Sequence, residues 1–238
     1  MIHVEGRDAV VLATIDRPER RNAVDHATLV ELKAALEHAR DEHARVFILT
    51  GASGTFCAGA DLTGVEGAAF ADALTAVLIG LTELPAVTIA AIEGPALGAG
   101  TQLAAACDLR VAHKAARFAV PAARLGLAVD QWTVDRLVAL VGGGTARTIL
   151  LAADSISGAD AHRLGFVQRL GGLGDAQAWA DQIGELAPLT IAAHKVALEH
   201  PDDADAVNAA RVRAWSSADS VEGRRAFLEK RPAVFRGT

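Results

Sequence analysis

The chain has 238 residues, of which 51% are hydrophobic and 22% are charged, and its formal net charge is −6. These values are typical of one globular domain with a sizeable hydrophobic core, or of one domain plus a small appendage. The chain has no tyrosine and no long basic stripe, which argues against nucleic acid as a partner, and no apolar run approaches the roughly 20 residues of a membrane span.

The first half of the chain alternates apolar strands, glycine-rich turns and helices. An apolar, β-branched run predicts a strand over 8–16, and Asn22 or Asp25 can cap the helix that follows it. Further strands are predicted at 45–50, 86–92, 109–112 and 118–120, with helices at about 67–83 and after Gly98. This alternation predicts an α/β fold.

The second half of the chain is predicted to be helical. Its helical segments are expected near 132–140, 144–152, 158–163, 174–187, 188–200, 204–218 and 219–229. Ser157 and Asp219 are candidate N-caps. No low-complexity linker separates the two halves, so we expect no independent second domain.

Two glycine-rich turns, 51–61 and 94–102, follow equivalent strand ends. Ligands gather at such turns in α/β folds because helix N-termini point there. Neither turn fits a phosphate-binding motif: the first lacks the Lys-Ser/Thr pair of a P-loop, and the second lacks the G-x-G-x-x-G order. The turns are therefore either tight connections only or a place where backbone N–H groups converge.

Few titratable residues lie near these turns. Asp61 follows the first turn, and Asp108 ends the helix after the second, where a structural role is expected. Asp130 precedes a predicted helix, so it is either an N-cap or a partly buried carboxylate facing a cleft. Trp132 is expected in the core or in a pocket wall. The scattered histidines form no metal-binding set.

The cysteines and the N-terminus bear on the compartment. Cys57 and Cys107 have apolar surroundings and no C-x-x-C spacing, which is typical of reduced, buried thiols. The N-terminal residues lack the charged-then-apolar order of a signal peptide. We therefore expect a cytoplasmic protein.

Motifs spread along nearly the whole chain, in one register, resemble those of the enoyl-CoA hydratase/isomerase family, the crotonase superfamily. They are RPERRNA at 17–23, FCAGADL at 56–62, GPALGAG at 94–100, ACDLR at 106–110, LGFV at 164–167 and FLEKRPAVF at 227–235. The chain is similar in particular to short actinobacterial members with a G-L-A-x-D-x-W segment.

The resemblance implies a crotonase-like α/β fold, a spiral of repeated ββα units with a helical C-terminal region. We expect the spiral core over 1–180 and the helical region over 181–238, which is not an independent domain. In the family the C-terminal helices pack between subunits. The resemblance therefore implies a homotrimer or a hexamer of paired trimers.

The resemblance also implies a CoA thioester as the ligand, with no tightly bound cofactor and no metal. The backbone N–H groups of Ala60 and Ala99 correspond to the oxyanion hole that holds the thioester oxygen. The adenine end is expected near 21–23 and 56–61. These segments and the last helix supply the candidate CoA-binding residues Arg21, Ala23, Ala58, Asp61 and Lys230. The acyl pocket is expected to include residues from 65–81 and near Trp132.

The chain departs from the family at the proton-transfer positions. Typical hydratases carry one glutamate in the helix after the second turn and another in a Pro-Glu pair further on. Gln102 and Ala122 occupy those positions here, with the spacing kept. Neither side chain can transfer a proton usefully, so hydration should be very slow. Asp130 matches in position an aspartate that some relatives use for proton shuttling or as a nucleophile.

Three functions follow from these residues. The chain is an acyl-CoA-binding protein of fatty-acid metabolism that has lost hydration, an isomerase or other enolate-stabilising enzyme that uses Asp130, or a weak hydratase. The loss of both carboxylates favours the first.

Overall fold

A six-stranded sheet lies at the centre of the protein, in a computed structural model that describes residues 1–63 and 68–238. Its strands, in spatial order, are β1 (Ile2–Arg7), β2 (Val10–Ile15), β3 (Val46–Gly51), β4 (Val87–Ile92), β6 (Leu109–Ala112) and β9 (Arg169–Leu170). β1 is antiparallel to β2, and the other neighbours are parallel. β4 is buried at every position, as a strand covered on both faces requires.

A smaller sheet packs beside the first and produces the repeated ββα pattern. It contains β5 (Pro95–Leu97), β7 (Arg117–Ala119) and β8 (Ile156–Ser157), and an isolated bridge pairs Cys57 with Ala96 of β5. The chain thus runs from a strand of the large sheet to a strand or bridge of the small one, and then into a helix. The predicted α/β spiral of ββα units is confirmed.

Helices cover both faces of the large sheet and form the end of the chain. They are α1 (His26–Asp41), α2 (Ala68–Glu83), α3 (Ala99–Ala106), α4 (Gln131–Leu151), α5 (Gly158–Arg163), α6 (Leu173–Gly184), α7 (Pro188–Glu199), α8 (Ala204–Trp215) and α9 (Ala218–Glu229). α1, α2 and α3 pack on the face that carries Phe47 and Leu49, and α6 packs on the opposite face against Ile48 and Ile89. The predicted boundary between 180 and 181 therefore falls within a helix that packs on the sheet.

Two predicted N-caps are confirmed by capping contacts, and one is corrected. Asp25 accepts a hydrogen bond from the N–H of Thr28 at the start of α1, and Ser157 caps α5 in the same way. Asp219 is not the N-cap of α9, because Ser217 takes that position. Asp219 instead accepts hydrogen bonds from two backbone N–H groups of the C-terminal tail.

Other segments differ from the prediction for local reasons. β1 and β5 were not predicted, because β1 is mostly exposed and lacks an apolar run, and β5 has three residues. The two helices expected at 132–140 and 144–152 are found on either side of Gly142 within α4, because its φ of 76° and ψ of 153° interrupt the helical backbone there. Within 1–63 and 68–238, no helix is long and apolar enough to span a membrane.

Candidate functional site

A cavity of about 420 Å³ opens beside the carboxyl ends of β3 and β4. Both glycine-rich turns line it, with the start of α3, the middle of α2 and the segment from Val120 to Asp130. Its apolar wall includes the side chains of Leu62, Phe70, Leu74, Leu78, Leu125 and Leu127. Residues 65–67 of the expected pocket wall lie outside the described residues.

The two glycine-rich turns meet through a short backbone ladder. The N–H of Cys57 donates to the carbonyl oxygen of Pro95 at 3.0 Å, and the N–H of Leu97 donates to that of Cys57 at 2.9 Å. A side chain at Gly100 would place its Cβ 2.3 Å from the carbonyl oxygen of Cys57, so this close approach requires glycine. The ladder fixes the end of the first turn against the start of α3.

Two backbone N–H groups on these turns remain open to the cavity. Ala60 bridges Val24, but the bridge bonds use the carbonyl of Gly59 and the N–H of Asp61, so the N–H of Ala60 points the other way. Ala99 is the first residue of α3, where an N–H has no acceptor within the helix. Neither N–H donates to another backbone group of the described residues, and both residues line the cavity.

Gln102 and Ala122 face the same cavity as these N–H groups. Gln102 lies one turn into α3 and is buried, and its Nε2 donates to Oγ1 of Thr133 at 2.7 Å. Ala122 lies in the 3₁₀ helix Pro121–Leu125 and contributes a methyl group. Both residues therefore line the same cavity.

Asp130 lies on the cavity and caps α4 at the same time. Its Oδ1 accepts a hydrogen bond from the N–H of Thr133 at 3.0 Å. The residue is exposed, which corrects the expectation of a partly buried carboxylate. Asp130 is also the one titratable residue among the lining residues that the structure describes.

Trp132 is partly buried and packs against the core rather than lining the cavity. The guanidinium of Arg136 stands over its ring, 6.0 Å from the centroid. The neighbouring residue Val129 lines the cavity instead. Trp132 therefore packs the start of α4 against the core.

Two of the candidate CoA-binding residues lie in the first turn. Ala58 lines the cavity, and its N–H donates to the carbonyl oxygen of Arg21. Asp61 is buried and does not line the cavity. Hydrogen bonds from the hydroxyl and N–H of Thr63 and the nearby guanidinium of Arg17 hold the pKa of the Asp61 carboxyl below its usual value. Asp61 therefore fixes the turn rather than offering a free carboxylate.

The remaining candidates stand outside the cavity. Ala23 is buried, and its carbonyl oxygen accepts a hydrogen bond from Arg17. The side chain of Arg21 is exposed. Lys230 is exposed at the C-terminal end of α9, and it does not line the cavity of the single chain.

The contact of Thr133 with Gln102 and the two leucines Leu125 and Leu127 were missed by the sequence reasoning. Thr133 is fully buried and contacts both Gln102 and Asp130. Its contact with Asp130 is the one expected if Asp130 is an N-cap. The two leucines are exposed at the rim of the cavity, and only their proximity in the fold reveals that role.

Other reactive groups lie elsewhere or are buried. No cluster of three or more His, Cys, Asp or Glu side chains suited to a metal occurs in the part of the chain that the structure describes. Burial raises the pKa of the Cys57 thiol to about 11 and that of the Cys107 thiol to about 12. Both cysteines are therefore protonated packing residues at neutral pH.

Comparison with known proteins gives consistent similarities. Residues 5–238 match the family model described as enoyl-CoA hydratase/isomerase. The chain is 42% identical to the probable enoyl-CoA hydratase echA6 of Mycobacterium tuberculosis, over 100% of both chains. It is 31% identical to a crotonyl-CoA hydratase of Syntrophomonas wolfei, covering 98% of this chain and 97% of the relative.

Solved structures are similar over the same length. An enoyl-CoA hydratase from Bacillus anthracis superposes with a TM-score of 0.89 at 30% identity, covering 100% of this chain and 99% of the other. An enoyl-CoA hydratase/carnithine racemase from Magnetospirillum magneticum gives a TM-score of 0.91 at 27% identity, with 100% and 96% covered.

Proposed function

The chain belongs to the enoyl-CoA hydratase/isomerase family, and from this premise we propose that it binds acyl-CoA thioesters of fatty-acid metabolism with little or no hydration. One observation carries the proposal. The cavity combines two open backbone N–H groups with an amide and a methyl group, at Gln102 and Ala122, where a hydratase needs proton-transfer groups. It therefore offers thioester binding without a proton-transfer group at either of these two positions.

The binding step uses the N–H groups of Ala60 and Ala99. Both can donate to the thioester oxygen, and the N-terminus of α3 adds a favourable partial charge. The leucines of α2 and of the 125–127 segment offer an apolar surface to the acyl chain. The exposed cations of Arg21 and Lys230 are available for the phosphates of CoA.

Hydration would need two further actions. A base must take a proton from water, and an acid must deliver one to carbon. The Gln102 amide already donates to Thr133, and Ala122 has no polar atom. Each general acid or base typically contributes about 10²–10⁴-fold to the rate, so we expect their joint absence to leave hydration very slow.

A second candidate function uses Asp130. Its carboxylate is exposed and lies on the cavity that holds the two N–H groups, which favours enolate chemistry such as double-bond isomerisation. Its role as N-cap of α4 gives it an additional structural purpose. Weak hydration is a third candidate, because an oxyanion hole alone retains some rate.

The assembly and the compartment are parts of the same proposal. We expect a homotrimer or hexamer, supported by large apolar side chains exposed on α7, α8 and α9, among them Leu198, Trp215, Phe227 and Leu228. We expect the cytoplasm, supported by two unpaired, buried thiols.

One experiment separates these functions. The purified protein is mixed with saturated, 2-enoyl and 3-enoyl CoA thioesters, and binding is followed by calorimetry while products are followed by chromatography. Binding without turnover supports the proposal. Isomerisation that Asp130→Asn abolishes, with binding intact, supports the second function. Hydration at rates typical of enzymes would contradict the reading of Gln102 and Ala122.

A gain-of-function variant makes this test sharper. The double variant Gln102→Glu/Ala122→Glu restores two carboxylates on the cavity, and we expect hydration to rise by about 10²-fold or more. The single variants serve as matched controls, because each restores one of the two groups. An inactive double variant that still binds thioester would show that further features of the pocket prevent hydration.

A further inference from the structure

The helix α3 begins beside the cavity without a side chain that caps it. Its N-cap is Gly98, which has no side-chain acceptor for the N–H groups of the first turn. The backbone of Gly98 has a φ of 51° and a ψ of −116°, a conformation that favours glycine. The peptide that joins Gly98 to Ala99 carries the N–H that remains open to the cavity. The direction of this N–H therefore depends on the contacts that fix the start of α3.

The side chain of Thr101 makes such contacts from within the first turn of α3. Thr101 is buried, with an exposed fraction of 1%, and it does not line the cavity. Its Oγ1 lies 2.6 Å from the carbonyl oxygen of Ala96 and 2.8 Å from that of Ala119. The same Oγ1 accepts a hydrogen bond from the N–H of Ala119 at 3.2 Å. One hydroxyl therefore joins the start of α3 to both β5 and β7.

The carbonyl oxygen of Ala119 also contacts the turn that precedes α3. It accepts a hydrogen bond from the N–H of Gly98 at 2.8 Å, in addition to its contact with the hydroxyl of Thr101. Gly98 and Thr101 lie on either side of Ala99 in the chain. The residue that carries the open N–H is therefore fixed from both sides against the end of β7.

A second polar side chain in the same turn makes a different contact. Gln102 donates to Oγ1 of Thr133 and so joins α3 to α4. Within the described residues, the Gln102 side chain makes no hydrogen bond to β5 or β7. The position of α3 relative to these two strands therefore depends on Thr101, and the removal of its hydroxyl should have an effect of its own.

The loss of this hydroxyl would change the geometry of the turn as well as the stability of the helix. Ala96 and Ala119 are buried, so their backbone groups cannot replace the hydroxyl with bulk water. The ends of β5 and β7 would then move to recover hydrogen bonds. A donor to a thioester oxygen is effective only within a narrow range of distances and directions. A small movement at Ala99 would therefore weaken its hydrogen bond to a ligand.

We propose that Thr101 is a positioning residue whose hydroxyl sets the direction of the Ala99 N–H, and with it the strength of binding to a thioester carbonyl. It acts through Gly98 and Ala119 and does not touch the ligand. This inference rests on the proposed acyl-CoA binding. It adds a buried residue outside the cavity to the groups that determine how the carbonyl is bound.

The test compares two ligands that differ only at the carbonyl. Octanoyl-CoA has the thioester oxygen, and S-octyl-CoA, the thioether of the same length, lacks it. Because only the thioester can accept from the N–H groups of Ala60 and Ala99, the ratio of the two affinities reports these hydrogen bonds and not the folded fraction. We expect the wild type to bind octanoyl-CoA about tenfold more tightly, as measured by titration calorimetry.

Three variants at Thr101 test the role of the hydroxyl. Thr101→Val keeps the shape of the side chain but removes the hydroxyl, so the affinity ratio should fall close to one while S-octyl-CoA still binds. Thr101→Ala removes the same hydroxyl in a residue with higher helix propensity, and it should have the same effect. Thr101→Ser keeps the hydroxyl and should restore the ratio.

Infrared spectroscopy gives a second readout that is independent of affinity. The ligand is octanoyl-CoA with carbon-13 at the thioester carbonyl, bound to the wild type or to a variant. Hydrogen-bond donors polarise the C=O bond and lower its stretching frequency. The bound carbonyl should therefore absorb at a lower frequency in the wild type and in Thr101→Ser than in Thr101→Val. A residue that served only the stability of α3 would not change this frequency.

Thr82→Val is the matched control for these variants. Thr82 is a buried threonine of α2 whose hydroxyl donates to the carbonyl oxygen of Ile79 at 3.0 Å, and it does not line the cavity. This variant should leave both the affinity ratio and the carbonyl frequency unchanged.

The outcomes distinguish this inference from the proposed function. Equal binding of the two ligands to the wild type would overturn the inference and leave acyl-CoA binding standing. The same holds if Thr101→Val keeps the ratio or the frequency of the wild type, or if Thr101→Ser fails to restore them. Failure of both ligands to bind the wild type would overturn the proposed function and the inference together.

Discussion

The polar groups at the two ends of α3 differ in their hydrogen bonding. Those at the N-terminal end are open to the cavity, and those at the C-terminal end have partners within the chain. At the N-terminal end, the N–H of Ala99 donates to no backbone group of the described residues, and Gln102 keeps a free carbonyl oxygen beside the cavity. Neither is exposed to bulk water on the outer surface of the protein, because both residues are buried. The open groups belong to a concave site.

At the C-terminal end of α3, positively charged side chains donate hydrogen bonds to the backbone carbonyl oxygens. The guanidinium groups of Arg110 and Arg136 donate to carbonyl oxygens of its last turn. Asp108, just beyond, accepts hydrogen bonds from the N–H of Thr88 and from the ammonium of Lys195, both at 2.7 Å. Positive charge at this end also suits the helix dipole.

This contrast separates structural from ligand-binding polar groups within one eight-residue helix. Buried polar groups that serve the fold find partners within the chain, since an unpaired one is costly. Groups left open beside a cavity are available to a ligand. Changing each end in turn should therefore affect stability at one end and binding at the other.

The largest expected effect is a loss of stability when the ion pair at the C-terminal end of α3 is removed. Lys195→Met keeps a long unbranched side chain but removes the ammonium that also donates to the carbonyl oxygens of Leu81 and Ala86. The carboxylate of Asp108 would lose its charged partner. Removing one member of a buried ion pair typically costs about 3–5 kcal/mol, and urea denaturation would measure the change in the free energy of unfolding.

Lys33→Met is the matched control for this substitution. Lys33 is exposed and pairs with Glu37 one helical turn away, so its loss should change stability by less than about 1 kcal/mol. A Lys195→Met protein as stable as the control variant would contradict the structural role assigned to the C-terminal end of α3. The contrast between the two ends would then fail.

The next effect concerns the open end. Ala99→Pro deletes the N–H that points at the cavity, and proline is well tolerated at the first position of a helix. We expect the helix to form and acyl-CoA binding to weaken by about tenfold, because a hydrogen bond contributes on the order of 1 kcal/mol. Titration calorimetry with one acyl-CoA would measure this change.

His26→Pro is the control for the open end. His26 is the exposed first residue of α1 and does not line the cavity, so the same chemical change there should leave acyl-CoA affinity unaltered. A large loss of stability in Ala99→Pro, without any loss of affinity, would show that this N–H serves the fold. The two ends of α3 would then be alike.

Much of the fold could be predicted from the sequence, because local patterns encode it. The buried strands β3 and β4 are mostly apolar, and Asp25 and Ser157 are typical N-cap residues at the starts of the helices that they cap. β1 could not be predicted in this way, since it is an exposed edge strand that depends on pairing with β2. Its existence depends on the hairpin that it forms with β2.

The candidate site was predictable only in part. Ala60, Ala99, Gln102, Ala122 and Asp130 were expected from motifs and spacing, and all five line the cavity. The contact between Gln102 and a threonine 31 residues later depends on how α3 and α4 pack, and no local pattern reports it. Residues that position a site are harder to predict than the residues that form it.

The smallest expected effect tests whether an ion pair must be buried, and not only fully hydrogen-bonded, to contribute strongly to stability. Glu222 accepts two hydrogen bonds from Arg231 and one from the N–H of Val234, which ties the C-terminal tail to α9. These contacts lower the pKa of the Glu222 carboxyl to about 2. Unlike the ammonium of Lys195, this pair lies beside water.

Because its pKa is lower in the folded chain, Glu222 adds stability above its ordinary value of 4.5 and loses it as pH falls toward about 2. Glu222→Gln should therefore be less stable than the wild type at pH 7, by much less than Lys195→Met, with the difference vanishing near pH 2. Urea midpoints of both proteins across this range would measure it. A stability difference that grows as the pH falls would contradict the ion pair of Glu222 and Arg231. A difference as large as that of Lys195→Met would show that an ion pair beside water stabilises the fold as much as a buried one.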